Sequence, residues 1–135
     1  MTSVPEVLTQ LRADRESGLL AARCADLGID LLVLFGSSVH EPETAGDVDL
    51  AYLPGHDREL SHLDATNALQ AAYGDLVDVM PLGSADPVAR FRALHDVEVL
   101  AELTPGAYAH QQMFAFRTFC DTQRLRDQAL AVLAR

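Results

Sequence analysis

The stretch from Leu31 to Leu53, LLVLFGSSVHEPETAGDVDLAYL, constrains this chain more than any other. Leu31 to Phe35 is apolar without alternation, the pattern of a strand covered on both faces. It ends abruptly at Gly36-Ser37-Ser38, a polar loop follows, and a second strand opens with Asp47-Val48-Asp49. Residues i and i+2 of a strand share a face, so these two carboxylates project side by side. Such a pair repels itself unless a cation lies between the two or one of them is protonated. A Gly-Ser turn that opens a short helix offers backbone N–H groups suited to a phosphate. An anion cradle facing a cation-binding carboxylate pair is the arrangement that metal-dependent phosphoryl or nucleotidyl transfer requires.

The rest of the chain reads as support for this stretch. Residues 4–27 predict helix, with Pro5 in the first turn, a possible break at Gly18 and Gly28 just past the end. Strands are expected over 29–35, 48–53, 76–80 and 97–103. Short helices are expected from Ser37 to about Val39, over 59–73, and from Pro87 to about Leu94 with Asp86 as N-cap. A long last helix, capped by Thr104-Pro105, is expected to run to about Leu133. The order predicts one α/β domain of the α+β type, with a small mixed sheet packed against helices. Its expected parts are an N-terminal helical segment (1–28), a catalytic sheet with its helices (29–103) and a C-terminal helix (104–135).

Asp78 stands within the apolar strand Leu76-Val77-Asp78-Val79-Met80, where a lone carboxylate is costly to bury unless it is paired or holds a metal. If that strand lies beside the Asp47–Leu53 strand, all three aspartates converge at one edge of the sheet. Asp47 and Asp49 would then hold one or two Mg2+ ions, with Asp78 as third ligand or general base. The plainer alternative makes Asp47 a strand-start cap and leaves Asp49 and Asp78 on a solvated sheet face. Ser37 is the candidate phosphate contact through its hydroxyl and N–H, Gly36 would let the backbone approach closely, and Ser38 could substitute or assist.

Composition narrows the class. The 135 residues carry a formal charge of −10, and all ten basic residues are arginine. A lysine-free acidic chain is a poor match for a nucleic-acid surface and excludes a P-loop, which needs its lysine. The acidic excess favours a small polyphosphate carried with metal ions, or a basic protein partner. No apolar run approaches the ~20 residues that span a bilayer, and the N-terminus lacks a signal-peptide pattern, so a cytoplasmic protein is expected. Cys24 and Cys120 have no metal-ligand spacing and read as plain thiols. His56, His62, His95 and His110 are scattered surface candidates, and Arg90 and Arg92 are solvated helix arginines that could reach the nucleotide. Phe114, Phe116 and Phe119 fit core or a partner-facing surface.

Gly36-Ser37, a spacer, Asp47-Val48-Asp49 and a later-strand Asp78 together resemble the DNA polymerase β-type nucleotidyltransferase superfamily. The segment from Asp78 through Pro87 and Val88 to Leu94, followed by the strand to Leu103 and the helix bearing Phe119, Asp121 and Arg126, is similar to the MNT-type antitoxins. Those proteins are paired with small helical HEPN ribonuclease toxins. The resemblance implies a minimal nucleotidyltransferase fold and an Mg2+- and ATP-dependent protein adenylyltransferase that transfers AMP to a toxin tyrosine. A non-catalytic antitoxin acting by occlusion and a small-molecule nucleotidyltransferase are the alternatives. The spacer is one residue shorter than the family usually has, and His40 stands where an arginine is common.

Overall fold

The computed structural model describes residues 2–56 and 59–134; the extreme ends of the expected segments and residues 57–58 lie outside the described residues. Helix α1 (Val4–Ser17) begins at the Ser3 N-cap, whose side chain accepts from the Glu6 N–H, and places Pro5 in its first turn. Gly18 separates it from α2 (Leu19–Leu27), and Gly28 ends α2. Strand β1 (Ile29–Phe35) leads into the four-residue α3 (Ser37–His40), and β2 (Val48–Pro54) follows. Helix α4 (His62–Tyr73), β3 (Val77–Pro81), a single 3-10 turn (Leu82–Ser84), α5 (Pro87–Leu94), β4 (Glu98–Glu102) and α6 (Ala107–Leu133) complete the order.

The sheet has the order β3-β2-β1-β4. Strand β1 runs antiparallel to both of its neighbours, whereas β2 and β3 are parallel. A parallel pair needs a crossover connection, and α4 supplies it. The alternation of strand side chains then sorts the apolar residues into two layers. On one face Leu32, Leu34, Val48, Leu50, Tyr52 and Val77 pack with residues of α1, α2 and α4. On the other, Leu31, Val33 and Ala51 pack with Leu82, Ala93, Leu94 and Ala115 beneath α5 and α6. The apolar run of β1 is therefore apolar because both of its faces are covered.

Several boundaries differ from the sequence reading. Helix α4 starts three residues later than expected, because the Ser61 side chain accepts from the Asp64 N–H and caps it there. The last helix is capped not by Thr104-Pro105 but by Gly106, whose φ of 85° is open to glycine at little cost. The Thr104 hydroxyl is instead used in donating to Asp30 Oδ1 at 2.7 Å. The 3-10 turn after β3 had no sequence signal beyond Pro81.

Two polar contacts tie the helical layer to the sheet and were not legible in advance. Arg12 and Arg15 both reach Glu98 on β4, at 3.0 and 2.9 Å, and hold its carboxyl below the usual range. The Tyr73 hydroxyl donates to Asp14 Oδ2 at 2.7 Å, and Gln10 donates to Asp14 Oδ1 at 2.8 Å, so that buried carboxylate is satisfied on both oxygens. Burial and the Asp14 bond push the Tyr73 hydroxyl above its ordinary pKa. Removing this hydroxyl leaves one oxygen of a buried carboxylate without a donor. Tyr73→Phe should therefore lower unfolding stability by about 1–3 kcal/mol, read as a fall in urea midpoint at unchanged m-value.

Candidate active site

The antiparallel register places Phe35 opposite Asp49, and the parallel register places Asp78 beside Asp49. Both pairings are set by the apolar residues on either side, and together they deliver the turn after β1 and two aspartates to one end of the sheet. Asp47 stands just before β2. Each of Asp47, Asp49 and Asp78 offers a carboxylate oxygen, and these atoms all lie within 4.8 Å of one another. Asp47 and Asp78 are exposed and Asp49 is half-buried. Asp47 just ahead of β2 and Asp78 exposed on β3 stand where the plainer reading also puts them; the proximity of the three carboxylates and the half-burial of Asp49 are what favour the metal-site reading.

Asp49 is pushed up to about 6, first by its burial and then by the charges of Asp47 and Asp78. A pKa raised above the unfolded-state value means that the ionised site opposes folding. The stability that Asp49 contributes is complete below about pH 4 and is lost as pH rises through about 6. In metal-free buffer, Asp49→Asn should raise the melting temperature by a few degrees at pH 7.5, roughly 1 kcal/mol after allowing for solvent screening, and have little effect at pH 4. The same repulsion makes the cluster a good hard-cation site, since carboxylate oxygens suit Mg2+.

Gly36 has a φ of 81° and a ψ of −158°, backbone that is essentially reserved for glycine. A Cβ at this position would lie 2.5 Å from Asp49 Oδ2. The glycine thus serves the carboxylate as well as any phosphate: it vacates the space Asp49 occupies. The sequence reading assigned Gly36 only to phosphate approach. Gly36→Ala should displace the Asp49 carboxylate and weaken Mg2+ binding at least tenfold by titration calorimetry, with the helical circular dichroism retained.

The two serines part company. Ser37 is exposed in the first turn of α3, where helix N–H groups have no intrahelical acceptor. Ser38 is fully buried, and its Oγ has no hydrogen-bond partner. Ser37 is therefore open to a ligand, whereas Ser38, expected to substitute for it or assist it, is buried. His40 points toward the loop before β4, with Nε2 4.0 Å from Asp96 Oδ2. Arg90 does not face the carboxylates as a free cation: Nε and Nη2 donate to the carbonyls of Leu82 and Gly83 at 2.9 and 3.0 Å, and the guanidinium lies over Phe114. Arg92 is exposed on α5. His62 bonds the Tyr52 hydroxyl at 3.1 Å, while His56, His95 and His110 are exposed.

No protein-family model matches the chain, and no curated protein matches it. Solved structures do match it over most of its length. A chain of a toxin-antitoxin structure with AMP-PNP superposes with a TM-score of 0.69 at 19% identity, covering 86% of this chain and 96% of that one. A chain of the toxin-antitoxin MntA-HepT matches with a TM-score of 0.59 at 20% identity, covering 91% and 96%. A chain from the complex of tri-AMPylated Shewanella oneidensis HEPN toxin with MNT antitoxin matches with a TM-score of 0.60 at 20% identity, covering 92% and 96%. The fold is that of these MNT antitoxin chains, and it agrees with the resemblance to MNT-type antitoxins drawn from Asp78 to Leu94 and the last helix.

Proposed function

We propose that this chain is an Mg2+-dependent protein adenylyltransferase that acts as the antitoxin of a HEPN-type helical toxin. The observation that carries this reading is the convergence of Asp47, Asp49 and Asp78 at the sheet end where the Gly36-Ser37 turn opens α3. The structural neighbours add support, one with AMP-PNP and one with an AMPylated HEPN toxin.

Asp47 and Asp49, with Asp78 beside them, would hold the cation. When bound, Mg2+ would link the triphosphate to these carboxylates and offset charge developing at the α-phosphorus. Ser37 and the first-turn N–H groups of α3 receive the departing phosphates. Gly36 keeps the space in which the Asp49 carboxylate stands. An acceptor tyrosine hydroxyl forms a bond to the α-phosphorus of ATP as the bond to pyrophosphate breaks. Its proton passes to a carboxylate of the cluster. The acidic catalytic end also complements the basic surface expected of an RNA-cleaving partner.

The experiment is intact mass spectrometry of a HEPN-type protein, where one is encoded beside this chain, after incubation with the chain, ATP and Mg2+. The expected result is a gain of one or more AMP groups that disappears with Asp47→Asn or with chelator. A stable complex without any mass change would overturn catalysis in favour of occlusion.

A further inference from the structure

Away from the carboxylates, α5 and α6 enclose a groove of about 340 Å³ lined by Phe91, Leu94, His95, Met113, Ala115 and Phe116. We propose that this groove docks the protein substrate, by receiving apolar side chains from a helix of the partner flanked by acidic residues. This rests on the reading above, in which the acceptor is a protein.

The aromatic wall of the groove is tied together by contacts within the chain. Phe91 is stacked between His95, with centroids 5.4 Å apart, and Phe119 at 4.3 Å, and the Arg126 guanidinium lies 4.3 Å over Phe119. Arg126 is itself tied to Thr122 and to the Phe119 carbonyl. A column of four planar groups held from both helices loses little freedom on binding, and such pre-ordered aromatic pockets are where binding energy concentrates. Above it, Met113 and Phe116 are 64% and 58% exposed, too much apolar surface to be explained by the fold they leave uncovered.

Charge selects the occupant. Helices α5 and α6 carry five of the ten arginines but only two of the twenty acidic residues, on a chain that is acidic everywhere else. A second copy pairing through the same face would set this arginine excess against itself, since a two-fold contact is self-complementary. A partner ridge with acidic flanks meets it favourably. Position supports the same choice. Asp49 and Ala51 share a face of β2, Asp78 and Met80 share a face of β3, and Ala51 and Met80 pack in the layer beneath α5 and α6. The groove and the carboxylates thus lie on the same side of the sheet, and one bound protein can engage both.

The test uses the full chain and that HEPN-type protein. Met113→Glu/Phe116→Glu should weaken the complex at least about tenfold by titration calorimetry. Mg2+ binding should remain unchanged, and Phe116→Leu should retain most of the affinity. Independently of any variant, complex formation should slow backbone hydrogen exchange in α5 and in the first half of α6 of the wild-type chain. Wild-type affinity in the double variant, or unchanged exchange in both helices, overturns the proposal. So does a wild-type dimer that the double variant splits while partner binding persists, which would assign the groove to a second copy. Partner binding through this groove without AMP transfer would refute the enzymatic reading and leave the docking surface standing. A wild-type chain that neither binds nor modifies the protein refutes both.

Discussion

Mutual repulsion among Asp47, Asp49 and Asp78 is the constraint against which the carboxylate end of this molecule is built. One oxygen of each lies within 4.8 Å of the others, and burial, followed by the charges of Asp47 and Asp78, pushes the Asp49 carboxyl up to about 6. Among the described residues, no hydrogen bond or ion pair joins these three side chains to a neighbour. The holding force is remote: apolar residues of β1, β2 and β3 are locked between two helical layers, and strand register follows from which side chains those layers bury. A slip of one residue in β3 would turn Asp78 away and expose Val77 and Val79 together. Burial on both faces therefore supplies the stability that the carboxylate cluster consumes.

The same logic assigns roles to residues that bear no charge. Gly36 is required both by its backbone conformation and by the Asp49 oxygen standing where a side chain would begin. The Asp14–Tyr73 bond fixes α1 to the end of α4, and the Glu98 clamp fixes α1 to the edge strand β4, so the layer behind the sheet is pinned from two directions. These contacts are far from the carboxylates, yet they hold the platform on which the register depends.

The two sides of the sheet serve different ends. The face under α1, α2 and α4 is closed and structural. The face under α5 and α6 is shared between a small apolar layer, an open aromatic groove and the carboxylates. It also collects half of the arginines of an acidic protein. Under the proposed function, an apolar, arginine-rich face on the same side of the sheet as the carboxylates suits a protein substrate better than a small molecule.

Much of this was legible in the chain alone, because it is written in short-range terms. The unbroken apolar run 31–35, the Gly-Ser stop, the Asp-x-Asp spacing and the Asp86-Pro87 cap each depend on a few neighbouring residues and on strand or helix periodicity. They determined the strand that leads to the site and the side-by-side placement of Asp47 and Asp49. What needed the tertiary structure were the facts that join distant segments. Asp78 becomes a third member of the cluster only through the parallel register of β2 and β3. Ser37 and Ser38 are adjacent and alike in sequence, and only the packing of α3 exposes one and buries the other. Arg90 resembles a free cation until the carbonyls of Leu82 and Gly83 claim it, and Phe91, His95 and Phe119 become one stack only when α5 meets α6. Periodicity encodes which side of an element is apolar, but not which other element will cover it, and that is the information the folded chain adds.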